Sequence, residues 1–578
     1  MPENTTHYIL KQTKKKMAEK IIIYQMLPRL FGNSNANCVE GGTIEQNGCG
    51  KFNDITAEAL KAIKGLGATH VWYTGVIEHT TRTDYGKYRI PADHPATVKG
   101  EAGSPYAIKD YYDNDPDLAV NVEERREEFK ALIERTHMAG MKVIMDFIPN
   151  HVARHYHSDN TPKGTYSFGE HDDKSAFFMG HNNFYYLGNH SFGCNIDAKD
   201  RAEEEYTETP LRATGNDCFG SPGRNDWYDT VKLNYGIDYR TGNRQFSPVP
   251  NTWVKMLKIL QYWASQGIDG FRCDMVEMTP VEFWSWAVPK VKEQHPGIIF
   301  IGEIYQPHIY RSFIKEGHFD YLYDKVGLYD TLRSVMNGQA SASDISYALQ
   351  STADIRQHML TFLENHDEQR IASDFFAADA KRALAAAVVS ATVGTEPFML
   401  YSGQELGERG MDKEGYSGVD GRTTIFDYWS VDTLRRWKGN GDYTGEGLTD
   451  EEKQLQSFYS RLLTLCNREK AIKNGTFYGL QYANPHSDKY DCSHTFSYLR
   501  GTEGELLLIV ANFSDSEKEC SVTVPEEAFA FYGIMHDNYQ QKVTELLSGE
   551  TLALPLNPFD KITVTVPANN AVILKFNV

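Results

Sequence analysis

The stretch GIDGFRCDMVE (residues 267–277) decides how this chain is read: a short apolar run ends in polar positions carrying Arg272, Asp274 and Glu277. Three more stretches repeat the form. MKVIMDFIPNH (141–151) ends in Asp146, Asn150 and His151, GIIFIGEIY (297–305) in Glu303, and LTFLENHD (360–367) in His366 and Asp367. The apolar parts are short, with Val, Ile and Phe prominent, as suits strands buried on both faces of a parallel sheet. In a barrel of parallel strands the C-terminal ends share one face, where active sites sit. Asp146, His151, Arg272, Asp274, Glu303, His366 and Asp367 are therefore expected to converge. Arg272 and Asp274 are two apart on one strand and point to the same side. The Arg charge is expected to keep Asp274 ionised, as a nucleophile needs. Glu303, at a buried strand end near two aspartates, should have a raised pKa and serve as a proton donor. Carboxylates converging with an Arg and two His suit acid–base chemistry on a neutral polar substrate.

Outward from these stretches, helical and strand patterns alternate. Trp253, Met256, Leu257, Leu260, Trp263 and Ala264 follow helical spacing up to Gly267, and a second helix runs from Val122 to Gly140. Between His151 and Tyr235 the alternation fails in a stretch rich in Gly, Asn, Asp, His and aromatics, too long for an ordinary loop. From about Thr476 short β runs with turn residues between them take over. The expected fold is α/β, a (β/α)8 TIM barrel with an inserted irregular domain after the third strand and a C-terminal antiparallel β-domain. The expected division is a polar, loose extension over 1–19, barrel over 20–151 and 236–475, insert over 152–235 and β-sandwich over 476–578.

At these residues the chain resembles the α-amylase superfamily of retaining glycosidases. D-x-x-x-N-H is Asp146, Asn150 and His151; G-F-R-x-D is Gly270, Phe271, Arg272 and Asp274; G-E is Gly302 and Glu303; N-H-D is Asn365, His366 and Asp367. Four such motifs in order, each after an apolar strand, make a specific signal. IYQMLPRLFG (23–32) looks like the family's first barrel strand and PFMLYSGQE (397–405) like its eighth. The resemblance implies that Asp274 is the nucleophile, Glu303 the acid/base and Asp367 the transition-state stabiliser, with Asp146 a scaffold partner of Arg272. It implies that His151 and His366 hydrogen-bond the sugar at the cleavage subsite. AGSPYAIKDYYDNDPDLA (102–119) resembles the family's aromatic segment, which makes Tyr106 a sugar platform and Asp110 structural. RTTIFDYW (422–429) is similar to a segment that brings an Arg, here Arg422, to the same subsite. The implied activity is cleavage of α-1,4-glucosidic bonds in malto-oligosaccharides or starch-type glucans, with retention through a covalent glycosyl-enzyme.

One motif departs from the pattern. Where many α-amylases follow the nucleophile with A-x-K-H, this chain has Met275, Val276, Glu277 and Met278. The anion at Glu277 puts the usual leaving-group side in question. The chemistry requires no cofactor. Calcium is the one metal the resemblance brings, at a structural site through Asn150 or in the loop of Asn33, Asn35 and Asn37, although amides are poorer ligands for a hard cation than carboxylates.

Composition narrows the partners. The net charge is −19 over 578 residues, which argues against nucleic acid or anionic membrane and leaves a neutral glucan untouched. No apolar run is long enough to span a membrane, and no signal-like core precedes the first strand, so the chain reads as cytoplasmic, or as exported with its leader removed. The eight cysteines are scattered without C-x-x-C, which excludes a zinc site; Cys38 with Cys49 and Cys194 with Cys218 are loop-closing pairs in principle, and free thiols are the simpler reading. Two rivals remain: a glucan transglycosylase using the same site, and a non-catalytic glucan-binding protein on the same fold. All three carboxylates being present speaks against the second. Chain-length preference, endo or exo action and oligomeric state are not written in the sequence.

Overall fold

Eight short strands close a parallel barrel: β1 (Ile22–Met26), β2 (His70–Tyr73), β3 (Lys142–Phe147), β4 (Gly270–Cys273), β5 (Ile299–Gly302), β6 (Tyr321–Tyr323), β7 (Met359–Phe362) and β8 (Phe398–Tyr401). The computed structural model describes residues 9–10, 19–194, 205–535 and 540–578. Each strand pairs in parallel with its neighbours in chain order, and β8 closes on β1. Period-two alternation sorts the side chains. Ile23, Trp72, Ile144, Ile301, Leu360, Phe362 and Met399 fill the barrel interior, while Ile22, Tyr24, Val143, Met145, Phe271 and Cys273 face the surrounding helices. Full burial of each large apolar side chain contributes about 1.5–3 kcal/mol.

Helices return the chain between strands, as a parallel sheet demands. The helix before β4 spans Asn251–Ser265 and buries Trp253, Met256, Leu260 and Trp263; Gly267 then turns with φ +100, a conformation that glycine adopts without strain. The helix before β3 spans Arg125–Met138, preceded by a 3₁₀ turn over Val122–Glu124. After β3 the chain leaves the barrel. His151–Ala153 pairs antiparallel with Thr230–Lys232, and these two strands clamp the ends of the insert. Its inner residues, Tyr185, Leu187, Phe192, Leu211 and Tyr228 among them, form a small core of their own.

At the C-terminal end Thr476–Gly479, Thr495–Thr502, Glu505–Asn512, Asn570–Phe576, Gln540–Glu545 and Thr551–Pro555 form an antiparallel sheet, and Lys518–Val522 pairs with Ile562–Val566 in a second. Residues 1–8 and 11–18 of the extension expected to be loose lie outside the described residues. Ile9–Leu10 add a two-residue strand to the edge of Thr476–Gly479. All eight cysteines are free thiols, so neither loop-closing pair exists. No helix among the described residues is long and apolar enough to cross a membrane.

Candidate active site

Register sets the centre of the site. Asp146 on β3 lies opposite Arg272 on β4, and both share the inward face with Ile144. Asp274 and Glu303 follow directly after the last residues of β4 and β5, and Asp367 comes on the loop beyond β7. The Arg272 guanidinium is fully buried among them. Its Nη1 lies 2.7 Å from Asp274 Oδ1 and 3.6 Å from Asp146 Oδ1, and its Nη2 lies 2.7 Å from Glu303 Oε2 and 3.9 Å from Asp367 Oδ2. The Asp274 contact is an aligned hydrogen bond; the Glu303 contact is an ion pair without that alignment. Nε donates to Tyr323 Oη at 3.2 Å, and the rings of Trp72 and Tyr106 stand 5.4 Å from the guanidinium carbon.

Four carboxylates thus share one cation. Burial pushes Asp146 up to about 7 against the pull of Arg272. Burial likewise pushes Glu303 up to about 7, again opposed by Arg272 and reinforced by Asp274. Asp367 rises through burial and then the Glu303 charge, although its side chain is 41 % exposed and cleft water screens it. Asp274 is raised as well, because burial outweighs the pull of the Arg272 charge. The physical reason is dilution: one guanidinium serves four acids. A hydrogen bond from Glu303 acts the other way and lowers Asp274.

The loop after β4 orients Glu303. Met275 adopts a left-handed turn, φ 40 and ψ 49, an uncommon conformation for a residue with a side chain. Its N–H donates to Glu303 Oε2 at 2.9 Å, and Tyr305 Oη donates to Oε1 at 2.5 Å. Glu277 accepts the Tyr305 N–H at 2.8 Å. The residue that departs from the family pattern thus braces the tyrosine that holds the acid, and it does not line the cleft. Gly302 is closely packed: a Cβ there would meet Leu322 Cδ2 at 2.9 Å and the Phe319 ring at 3.1 Å.

The remaining candidates surround this centre. The Gln25 amide donates to Thr74 Oγ1 and stands 2.8 Å from His366 Nδ1. His366 Nε2 then meets Tyr106 Oη and, at 3.1 Å, Asp367 Oδ2. Tyr106 stacks on the His366 ring, centroids 5.2 Å apart, and donates to Asp146 at 3.3 Å. Burial and the Arg272 charge hold His366 well below its usual range, and burial lowers His151 to about 3, so both are neutral. His151 packs edge-on to Trp227 at 5.2 Å. Arg422 reaches the site through the backbone, its Nε donating to the Asp367 carbonyl at 2.6 Å while Nη1 pairs with Asp420 at 2.9 Å.

A cleft of about 370 Å³ opens above the carboxylates, lined by Tyr106, His151, Asp274, Glu303 and Asp367 together with Lys99, Trp227, Asp229, Tyr305 and Phe426. The sequence reading missed these last five. Lys99 and Asp229 form an ion pair at 3.0 Å on the wall. Trp227 and Asp229 come from the insert, where no periodicity reports which way a side chain faces. Tyr305 had a signal, since it stands two residues beyond Glu303 on the same run.

Calcium does not fit at Asn150. Asn150 Oδ1 accepts from Lys232 Nζ at 2.7 Å and Nδ2 donates to the Gly215 carbonyl at 2.7 Å. The same ammonium lies 2.6 Å from Asp217 Oδ1, and the Lys232 side chain is 1 % exposed. A tethered cation occupies the position between barrel and insert. The asparagine loop is also committed: Asn33 Nδ2 donates to the carbonyls of Asn47 and Trp429, Asn33 Oδ1 accepts from the Asn35 N–H, and Asn35 Oδ1 accepts from the Asn37 N–H.

Comparison with known proteins agrees with this geometry. The chain is 25% identical over 561 residues to an α-amylase of Streptomyces lividans, matching 90% of this chain and 55% of that protein. It is 20% identical to neopullulanase 2 of Thermoactinomyces vulgaris, over 89% of this chain and 73% of that one. This chain spans little more than half the length of the Streptomyces relative. Among solved structures, a noncanonic maltogenic α-amylase, AmyB, from Thermotoga neapolitana superposes with a TM-score of 0.62 at 21% identity, covering 97% of this chain and 99% of that one. The α-amylase catalytic-domain family matches residues 25–456, and with a closed parallel barrel carrying its acids at the strand ends, the chain belongs to the α-amylase family.

Proposed function

We propose that the chain is a retaining glycoside hydrolase that cleaves α-1,4-glucosidic bonds in malto-oligosaccharides or starch-type glucans. The observation that supports this most directly is the set of Asp274, Glu303 and Asp367 around one buried Arg272 at the floor of an open cleft. Asp274, hydrogen-bonded to Arg272 and carrying the charge, attacks the anomeric carbon. Glu303, holding the proton, delivers it to the departing glycosidic oxygen and then takes a proton from water as the glycosyl-enzyme is hydrolysed. Asp367 stabilises the oxocarbenium-like charge between these steps. Tyr106 and His151 line the cleft and offer the sugar a ring face and a neutral ring nitrogen, while the buried His366 positions Tyr106 and Asp367 and Arg422 braces the Asp367 backbone. The printed names of the relatives, α-amylase and neopullulanase, point to the same class of glucan. Transfer to a second sugar in place of water uses the same groups, and the aromatic lining of Trp227 and Phe426, on which an acceptor sugar can stack, is the feature that favours it.

The test is incubation with maltose, longer maltodextrins, starch and pullulan, with products followed by chromatography and the first-formed anomer by NMR. Release of α-anomeric ends is the expected result. Products longer than the substrate identify the transferase. No cleavage, together with measurable glucan affinity, would leave only the binding protein.

A further inference from the structure

Away from the cleft, three acids meet at a second place. After β2 the chain forms Ile77–His79, which pairs antiparallel with Ile108–Asn114, and Glu78 lies opposite Asp110 in the register. One oxygen each of Glu78, Asp110 and Asp113 lies within 4.8 Å of the other two, and all three residues are buried. Asp110 accepts from Ser158 Oγ at 2.6 Å and from the backbone N–H groups of Tyr112 and Asp159 at 2.8 and 3.1 Å. Asp113 is paired with Arg125 and accepts from Asn160 Nδ2 at 2.5 Å. Glu78 differs. It is 5 % exposed, it points into the cluster, and among the described residues nothing donates to its carboxylate. Lys109, the nearby ammonium, is committed to Asp93 at 3.0 Å and the Pro91 carbonyl at 2.7 Å. Three negative charges thus face one directly paired positive charge, which leaves the deficit that a divalent ion balances. A cavity of about 340 Å³, lined by Tyr88, His157, Asp159 and Asn160 among others, leads from the surface to the three acids.

We propose that Glu78, Asp110 and Asp113 bind a hard divalent cation of the calcium class, with water from the cavity completing its shell. Ligands that are all oxygen select such an ion over softer metals. The cation would tie the strand pair to residues 158–160 at the start of the insert. This joint is separate from the one that Lys232 makes at the insert's other edge.

The test uses the full chain, stripped with EDTA and dialysed. Terbium, excited through nearby tyrosine, should give saturable emission that calcium displaces, and millimolar calcium should raise Tm reversibly. Glu78→Gln should weaken terbium binding by at least about ten-fold, because one of three charged ligands is lost, and should abolish the calcium response of Tm. Its circular dichroism and glucan turnover should match wild type. A manganese soak of wild-type crystals should place an anomalous peak inside the three carboxylates, which keeps the test independent of how the variant folds. Absence of displaceable emission and of any calcium effect on Tm overturns the proposal. So does an undiminished response in Glu78→Gln, or an anomalous peak only at another place.

Discussion

Arg272 and Lys232 are both buried cations held by oxygen atoms of the barrel and its loops, and their surroundings differ in one respect. Arg272 faces four carboxylates within 4 Å and an open cleft. Lys232 faces one amide and one carboxylate and is closed from solvent. Around Lys232 one positive charge meets one negative charge, and the group acts as a joint between barrel and insert. Around Arg272 negative charge is in excess, so a proton must stay near neutral pH. Burial raises Asp146, Glu303 and Asp367 alike, so that proton is shared among them. Charge imbalance beside a cleft makes chemistry available; charge balance in a closed place makes structure.

The largest effects should come from breaking the imbalance at Arg272. Asp274→Asn is expected to keep the fold and to lower kcat by about 10⁴-fold or more, since a unit of cooperating groups loses its nucleophile. Glu303→Gln is expected to lose about 10²–10⁴-fold on ordinary glucans and much less on substrates with very good leaving groups, which need no proton. Reducing-end release from maltoheptaose and from an activated aryl glucoside measures both. Equal losses on the two substrates would remove Glu303 from the role of acid.

Breaking the balanced centre should affect stability and not chemistry. Lys232→Met leaves the buried Asn150 oxygen without its charged donor, while the 37 % exposed Asp217 carboxylate is rescued by water. The expected loss is about 1–3 kcal/mol in unfolding free energy, and kcat stays within about ten-fold of wild type. Denaturant unfolding and turnover on the same preparations separate the two. A loss of kcat like that of Asp274→Asn, with unchanged stability, would place Lys232 in the chemistry and end the contrast.

The pH profile sharpens the difference further. In the proposed mechanism turnover needs Glu303 protonated and Asp274 ionised. Glu303 is raised to about 7, so kcat/KM should fall as pH rises through that value; Asp274 is raised above its ordinary range, so the acid limb should lie above that of an ordinary aspartate. Stability carries the same sign. The folded state keeps a proton on Glu303 that the unfolded chain releases at about 4.3, so this contribution is complete below that pH and is lost as pH climbs through about 7. Glu303→Gln should remove that part of the dependence, as Tm measured from pH 5 to 8 would show. Tyr305→Phe removes a hydrogen bond that lowers Glu303, so its alkaline limb should move to higher pH.

The smallest effect expected is that of Glu277→Lys. The Glu277 carboxylate holds the Tyr305 N–H, so a lysine here should loosen the brace and lower kcat a few-fold, about 1 kcal/mol for one hydrogen bond. A gain on long maltodextrins would show instead that the position contacts the leaving group.

Residues spaced by the two-residue and 3.6-residue periods were legible without coordinates. The parallel strands, the convergence of Asp146, Arg272, Asp274, Glu303 and Asp367, and the β-domain after Thr476 follow from local pattern, because alternation fixes which side a strand residue faces. What the pattern does not carry is everything that depends on partners distant in sequence. Lys232 taking the place offered to calcium, Trp227 and Asp229 entering the cleft from an insert without periodicity, and Glu78 meeting Asp110 across two short strands are decided only when the chain closes. The same holds for charge. Sequence showed acids near an arginine, but the position of the proton depends on burial and on how many carboxylates share one guanidinium, and both are properties of the packed barrel.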